Sequence, residues 1–158
     1  MAEDDADRVW KWMKSICFCM MSHWSGEKPV VRPMTAFVRR AEHRIYFFTD
    51  ARVTTNDELQ RSPKVCLGFS DIRRQKYIWV YATATINSDR GKIGELWNIA
   101  AKVWWKSPDN PNIRLITVNP EEAEFWDAPG NIISGLDVAV ALIKGSHPHA
   151  GHHKTVQL

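Results

Sequence analysis

The segment from Tyr77 to Asn87 is the longest β-like stretch in the chain, with Tyr77, Trp79, Tyr81, Thr83 and Thr85 on one face of an extended strand. Ser88-Asp89-Arg90-Gly91 breaks it. Upstream, Ile16 to Ser22 is apolar, Ser25-Gly26-Glu27-Lys28 carries turn chemistry and Val30 to Val38 is rich in β-branched residues, which predicts a hairpin of two antiparallel strands. After the polar link Arg39-Arg40-Ala41-Glu42-His43, a third strand is predicted over Arg44 to Thr49, so the opening reads as a meander. Lys64 to Ser70 and Ile113 to Val118 add strands, and Pro120-Glu121-Glu122 leads into Ala123-Glu124-Phe125-Trp126.

Helical signals lie between and around these runs. Val9, Trp10 and Met13 among charges predict an amphipathic helix over Glu3 to Lys14, with acids at its dipole-favoured start. Thr54-Thr55-Asn56-Asp57-Glu58-Leu59 predicts a short helix that Ser62-Pro63 ends. Longer helices are predicted over Lys92 to Trp105 and, from Ile132, Leu136, Val140 and Ile143, over about Asn131 to Ile143. Six or seven strands with short links and helices at the flanks predict a mainly β, α+β fold, a small antiparallel barrel rather than an alternating parallel sheet.

With 158 residues the chain is sized for one domain, and 44% hydrophobic and 25% charged residues exclude a disordered chain or a fibrous repeat. A net charge of +3 is too small for the positive field of a nucleic-acid-binding domain, while anionic small molecules remain suitable partners. Three irregularly spaced cysteines argue against a disulfide framework and for a reducing cytoplasm. The acidic opening Met1 to Asp7 is unlike a secretory signal, and no apolar run is long enough to span a bilayer, so a soluble intracellular protein is expected. Eight tryptophans exceed what one small core hides, which points to an interface or a flat ligand. Residues 1–145 are expected to form the folded domain, and the His-rich tail 146–158 to be flexible.

Neither a Ser-His-Asp series, a phosphate-binding Gly-rich loop nor a dinucleotide glycine fingerprint occurs. Cys17 and Cys19, read on one strand face, lack further ligands for zinc and read as buried structural thiols. His147, His149, His152 and His153 read as an exposed, adventitious metal binder, so no metal site is assigned.

Arg32-Pro33-Met34-Thr35, then Ile45-Tyr46-Phe47-Phe48-Thr49-Asp50, Asp89-Arg90, Glu95-Leu96-Trp97, Trp104-Trp105, Asp109-Asn110-Pro111 and Val118-Asn119-Pro120 through Asp127 form an ordered series. It resembles the pyridoxamine 5′-phosphate oxidase-like flavin-binding split barrels, and within them the bacterial general stress protein branch. The resemblance implies a six-stranded split β-barrel, a homodimer, and FMN in two symmetric clefts at the dimer interface, with FAD or an empty cleft as alternatives. It implies that Arg32 meets the phosphate, that Pro33, Met34 and Thr35 border the ring, and that Phe48 and Thr49 line the cleft from the next strand. Trp104, Trp105 and Trp126 match aromatic positions near the second subunit's side. Where the wider superfamily carries Arg-Lys or Ser-x-Lys, this chain has Thr54-Thr55, with Arg52 nearby as a further cation.

The function implied is a flavin-dependent oxidoreductase in which the flavin does the chemistry, no side chain standing out as acid or base. The alternative is a non-catalytic flavin-binding or stress-response protein. True pyridoxamine phosphate oxidase activity fits less well, because the Arg-containing C-terminal substrate segment of that enzyme has no counterpart here.

Overall fold

The computed structural model describes residues 4–127, residue 143 and residues 152–158. In chain order the elements are α1 (Asp5–Ile16), β1 (Phe18–Trp24), β2 (Pro29–Thr35), β3 (Phe37–Arg39), β4 (Arg44–Asp50), α2 (Thr55–Arg61), β5 (Lys64–Asp71), β6 (Lys76–Asn87), α3 (Arg90–Leu96), β7 (Ile113–Asp127) and β8 (His152–Gln157). The strands form one antiparallel sheet in the order β2-β1-β5-β6-β7-β4-β3, with β8 added to β7.

The two ends of that order are consecutive in the chain. Only Ala36 separates β2 from β3, and its N–H donates to the Cys17 carbonyl at 2.8 Å. Strands joined so tightly cannot sit at the far edges of a flat sheet, so the sheet curls into a half-barrel with its split between β2 and the β3/β4 side. Counted as one strand bent at Ala36, β2 and β3 complete six barrel strands, as expected, and β8 is an addition. The opening is a hairpin that runs on as a meander, as predicted: the strand bent at Ala36 pairs β1 through β2 and β4 through β3. Because β2 is an edge, Pro29 and Pro33 fit there without costing a ladder bond.

The predicted strands before and after Pro120 are one, β7. The register with β6 shifts between Tyr81 and Ala82, which oppose Glu122 and Pro120, and this irregularity accommodates a residue without an N–H. The predicted helix over Lys92 to Trp105 is instead broken. Asp89 caps α3 by accepting from the Lys92 N–H at 3.0 Å, but at Trp97 the backbone leaves the helix, and the Asn98 side chain accepts the Ala101 N–H at 3.0 Å to start a separate turn of 3₁₀-helix. The tail shows another departure: His152–Gln157 pairs Glu122–Asp127 as β8 where composition predicts fraying. Residues 146–151 and the predicted helix from Asn131 lie outside the described residues, apart from residue 143.

Ile45, Phe47, Leu67, Phe69, Ile78, Val80, Val118 and Phe125 line the concave side, and α1 closes it with Val9, Trp10, Trp12 and Met13. A second cluster of Tyr46, Ile93, Leu96, Ile113 and Leu115 lies on the other side of β4, with Phe37, Phe48, Trp97 and Trp105 packed against it. Burial on both faces explains why Ile45-Tyr46-Phe47-Phe48 is apolar throughout rather than alternating.

The two amino-terminal thiols are not equivalent, contrary to their reading as a strand pair. Cys17 is the exposed cap of α1, left-handed at φ 53° with its N–H on the Met13 carbonyl, whereas Cys19 points into the core from β1. Burial pushes the Cys19 thiol up to about 12. In the native protein an alkylating reagent is expected to modify Cys17 and to spare Cys19 until denaturant is added, with peptide mapping as the measurement; equal labelling would contradict this packing. Phe47 is fully buried, so Phe47→Ala is expected to cost about 3–5 kcal/mol in denaturant unfolding. A loss under about 1 kcal/mol would place the core elsewhere.

Candidate functional site

The split in the barrel opens into a cleft of about 420 Å³. One wall is β2, an edge strand among the described residues, with Pro33, Met34 and Thr35, beside Phe18 of β1. The opposite wall is Phe37 and Phe48, and the 3₁₀ segment after α3 supplies Asn98, Ala100, Ala101, Trp104 and Trp105. Rings dominate this surface. Phe48 lies at their centre, 5.1 Å from Phe37, 6.1 Å from Trp105 and 6.3 Å from Trp97 between ring centroids, each pair tilted or edge-on.

The break at Trp97 and Asn98 shapes that wall. It takes Trp104 and Trp105 off a continuous helix, where neighbours diverge by about 100°, and both line the cleft. Trp104 is largely exposed. Trp105 is tethered: its Nε1–H donates to Asp50 Oδ2 at 3.1 Å.

Asp50 ends β4 and ties the cleft to the next loop. Its Oδ1 accepts the Arg52 N–H at 2.9 Å and Arg52 Nε–H at 2.7 Å, and its Oδ2 also accepts Arg52 Nη2–H at 2.8 Å. The guanidinium bonds, helped by the Arg52 amide and the Trp105 indole, hold this carboxyl far below the usual carboxylate range despite partial burial. The Asp50 carbonyl accepts from Asn56 Nδ2 at 2.8 Å, and the Ala51 N–H donates to the Asn112 carbonyl at 2.7 Å. Arg90 in turn donates to the carbonyls of Asn110 and Ile113, fixing the turn before β7.

A charged network braces the other side of α3. Lys92 Nζ reaches Glu42 at 3.0 Å and Glu95 at 2.9 Å, and the Tyr46 hydroxyl donates to Glu42. Those bonds lower the Glu42 carboxyl and raise the Lys92 ammonium from their ordinary values. The brace holds α3 over the second apolar cluster that backs Phe48 and Trp105.

Of the residues singled out from the sequence, Pro33, Met34, Thr35, Phe48, Trp104 and Trp105 come together in the cleft lining. The other six lie outside it. Arg32, one residue before the cleft on β2, is exposed and makes no hydrogen bond or ion pair among the described residues. Thr49 is buried, Arg52 is engaged by Asp50, Thr54 is exposed, and Thr55 is buried with its Oγ1 unpartnered. Trp126 stacks on His153 of β8 at 4.5 Å, nearly parallel. Phe18, Phe37, Asn98, Ala100 and Ala101 were not singled out: Phe18 sits beside β2 only because it pairs with Thr35, Phe37 only because the chain bends at Ala36, and the curl of the sheet brings the 98–101 segment opposite them. Asp50 was visible as the end of the β4 motif, and an arginine two residues on was the available sign of a turn pair.

His23 of β1, also unsuspected, is buried and meets Glu58 of α2 at 2.6 Å through Nε2. It braces α2 against the barrel, away from the cleft lining. Among the described residues no three His, Cys, Asp or Glu side chains gather to hold a metal, and His147 and His149 lie outside them. No helix among the described residues is long and apolar enough to cross a membrane.

The chain is 27% identical over 108 residues to general stress protein 26 of Bacillus subtilis (strain 168), covering 64% of this chain and 73% of that protein. A Jannaschia sp. CCS1 structure, described as a candidate general stress protein 26, superposes with a TM-score of 0.74 at 20% identity, covering 97% of this chain and 99% of that one. The general stress FMN/FAD binding protein of Xanthomonas citri gives a TM-score of 0.71 at 23% identity, with 81% and 92% covered. Those structures share the split-barrel fold seen here. The family model described as pyridoxamine 5′-phosphate oxidase like matches residues 4–149, and a match over so much of the sequence means that this chain belongs to the pyridoxamine 5′-phosphate oxidase-like family.

Proposed function

We propose that the cleft binds the isoalloxazine ring of a flavin, FMN in the first instance, and that the protein is a flavin-dependent oxidoreductase acting as a homodimer in the cytoplasm. The observation that carries this reading is the cleft lining: Phe18, Phe37, Phe48, Trp104, Trp105 and Met34, with no charged side chain. Such a surface suits a large, flat, partly apolar ring. The unpaired side of β2 leaves backbone polar groups beside Met34 and Thr35 for the ring's polar edge. Arg32, exposed next to Pro33, is the cation offered to the phosphate. A bound flavin supplies the redox chemistry, and these residues orient it and cover it from water.

Dimerisation is supported by the outward face of the sheet. Phe18, Met20, Trp79, Tyr81, Tyr77 and Trp126 are each more than a third exposed there, a larger apolar surface than single scattered residues make. Trp79 lies across Gly68, where an added Cβ would come within 2.7 Å of the ring, and its Nε1–H points to Cys66 Sγ at 3.1 Å. The small residue lets the indole lie flat on β5 as a seat for a second copy. Phe18 belongs both to this face and to the cleft, so a partner seated on the face reaches the cleft mouth and brings its own Trp126 as an aromatic contribution.

A second reading is favoured by one observation: no titratable side chain lines the cleft among the described residues. On that reading the protein holds flavin without turnover. NADH or NADPH with an electron acceptor separates the two, because reduction of bound flavin at a useful rate requires the enzyme and binding alone does not.

FMN titration is expected to quench flavin fluorescence, and Trp104→Ala, at an exposed position that leaves the core intact, to weaken binding about tenfold. A colourless protein that quenches no FMN at high micromolar concentration would remove both readings. In sedimentation the 18.2 kDa chain is expected to run as a dimer, and Trp79→Glu to raise its dissociation constant about thirtyfold or more. A concentration-independent monomer would sink the shared cleft.

A further inference from the structure

Behind the uncharged lining of the cleft, an arginine is already in use. Asp50 Oδ2 accepts at once from Trp105 Nε1, 3.1 Å away on the cleft wall, and from Arg52 Nη2 at 2.8 Å. The guanidinium therefore sits two hydrogen bonds behind the indole. Its Nε and its backbone N–H close on the other oxygen, Oδ1, so Arg52 spends its fork on one carboxylate inside a turn of the chain. The carboxylate is the anchored partner, with its side chain 17% exposed, and the guanidinium the free-standing one at 73%.

We propose that Asp50 is a specificity-determining residue: by occupying Arg52 it keeps the cleft from selecting ligands on a terminal phosphate, so that the site reads the aromatic ring of a flavin more than its phosphate. The inference rests on the flavin reading above. A phosphate and a carboxylate compete for the same face of a guanidinium, and a carboxylate two residues away competes at a high effective concentration. The neighbouring loop offers no second cation: Val53, Thr54 and Thr55 follow Arg52, and Thr55 is buried. Arg32, next to the cleft on β2, is left as the cation for the phosphate on this reading, and an exposed cation gives only a small preference. With Asp50 uncharged, the exposed Arg52 guanidinium is released to turn toward an anion, while an amide at position 50 still accepts the Trp105 indole.

The experiment compares dissociation constants for FMN and riboflavin, two probes that differ only in the phosphate, in the full chain at fixed ionic strength. The wild-type protein is expected to favour FMN by only a few-fold, and Arg52→Ala, at an exposed side chain, to leave that ratio unchanged. Asp50→Asn is expected to raise the ratio about tenfold through tighter FMN binding, with riboflavin unaffected, and the gain to vanish in Asp50→Asn/Arg52→Ala. An unchanged ratio in Asp50→Asn, a gain that survives loss of Arg52, or a drop in FMN preference in Arg52→Ala alone would each overturn the proposal. So would equal weakening of both ligands in Asp50→Asn, which would make Asp50 a support for Trp105 only. Binding of both flavins with a flat ratio overturns this inference and leaves the flavin reading standing. Binding of neither by the wild-type chain overturns both.

Discussion

The single residue between β2 and β3 constrains everything else in this molecule. Ala36 joins strands that end up at opposite edges of the sheet, and a sheet whose edges are chain neighbours has to curl until those edges meet. The curl encloses the main core, closed by α1 on one side, and leaves the outer edge of β2 without a strand partner among the described residues. The cleft occupies that gap. Its position is thus a consequence of sheet closure that stops one strand short, and its β2 wall tolerates Pro33 for the same reason.

Opposite β2, the cleft depends on burial of both faces of β4. Tyr46 and Phe48 face away from the barrel core and need their own apolar cover, which α3, Trp97 and Trp105 provide. The polar groups stand outside this second cluster. Lys92, Glu42 and Glu95 brace α3, and Asp50 anchors Trp105 from behind. Charge is kept at the perimeter, where water offsets the cost of desolvation, and the interior of the cleft is left to rings and methionine.

The eight tryptophans divide by environment in a way that composition alone only hints at. Trp10 and Trp12 are buried against the barrel, Trp97 and Trp105 pack on the second cluster, and Trp24, Trp79, Trp104 and Trp126 are exposed over a third or more of their surface. A core of this size absorbs the first four. The exposed four bear on the sheet's outer face and the cleft, which is where an aromatic surplus is useful to a partner surface or a flat ligand.

Most of the architecture was legible locally. Apolar runs and β-branched residues marked β1, β2, β4, β5 and β7, alternation marked β6, and capping residues with charge marked α1 and α2 to within a few residues. The ordered motifs from Arg32 to Asp127 carried the family. The cleft was legible only in part: Pro33, Met34, Thr35, Phe48, Trp104 and Trp105 could be named from motifs, but not Phe37 or Asn98, since no local pattern says which residues face each other across a curled sheet. Tertiary structure also decided that His152–Gln157 is a strand, because the free edge of β7 supplies backbone partners that a His-rich sequence does not announce. It decided the state of Arg52 as well. Sequence by itself determines that a cation follows β4, by its chemistry; whether that cation faces a ligand or a carboxylate depends on side-chain geometry that only the folded chain sets.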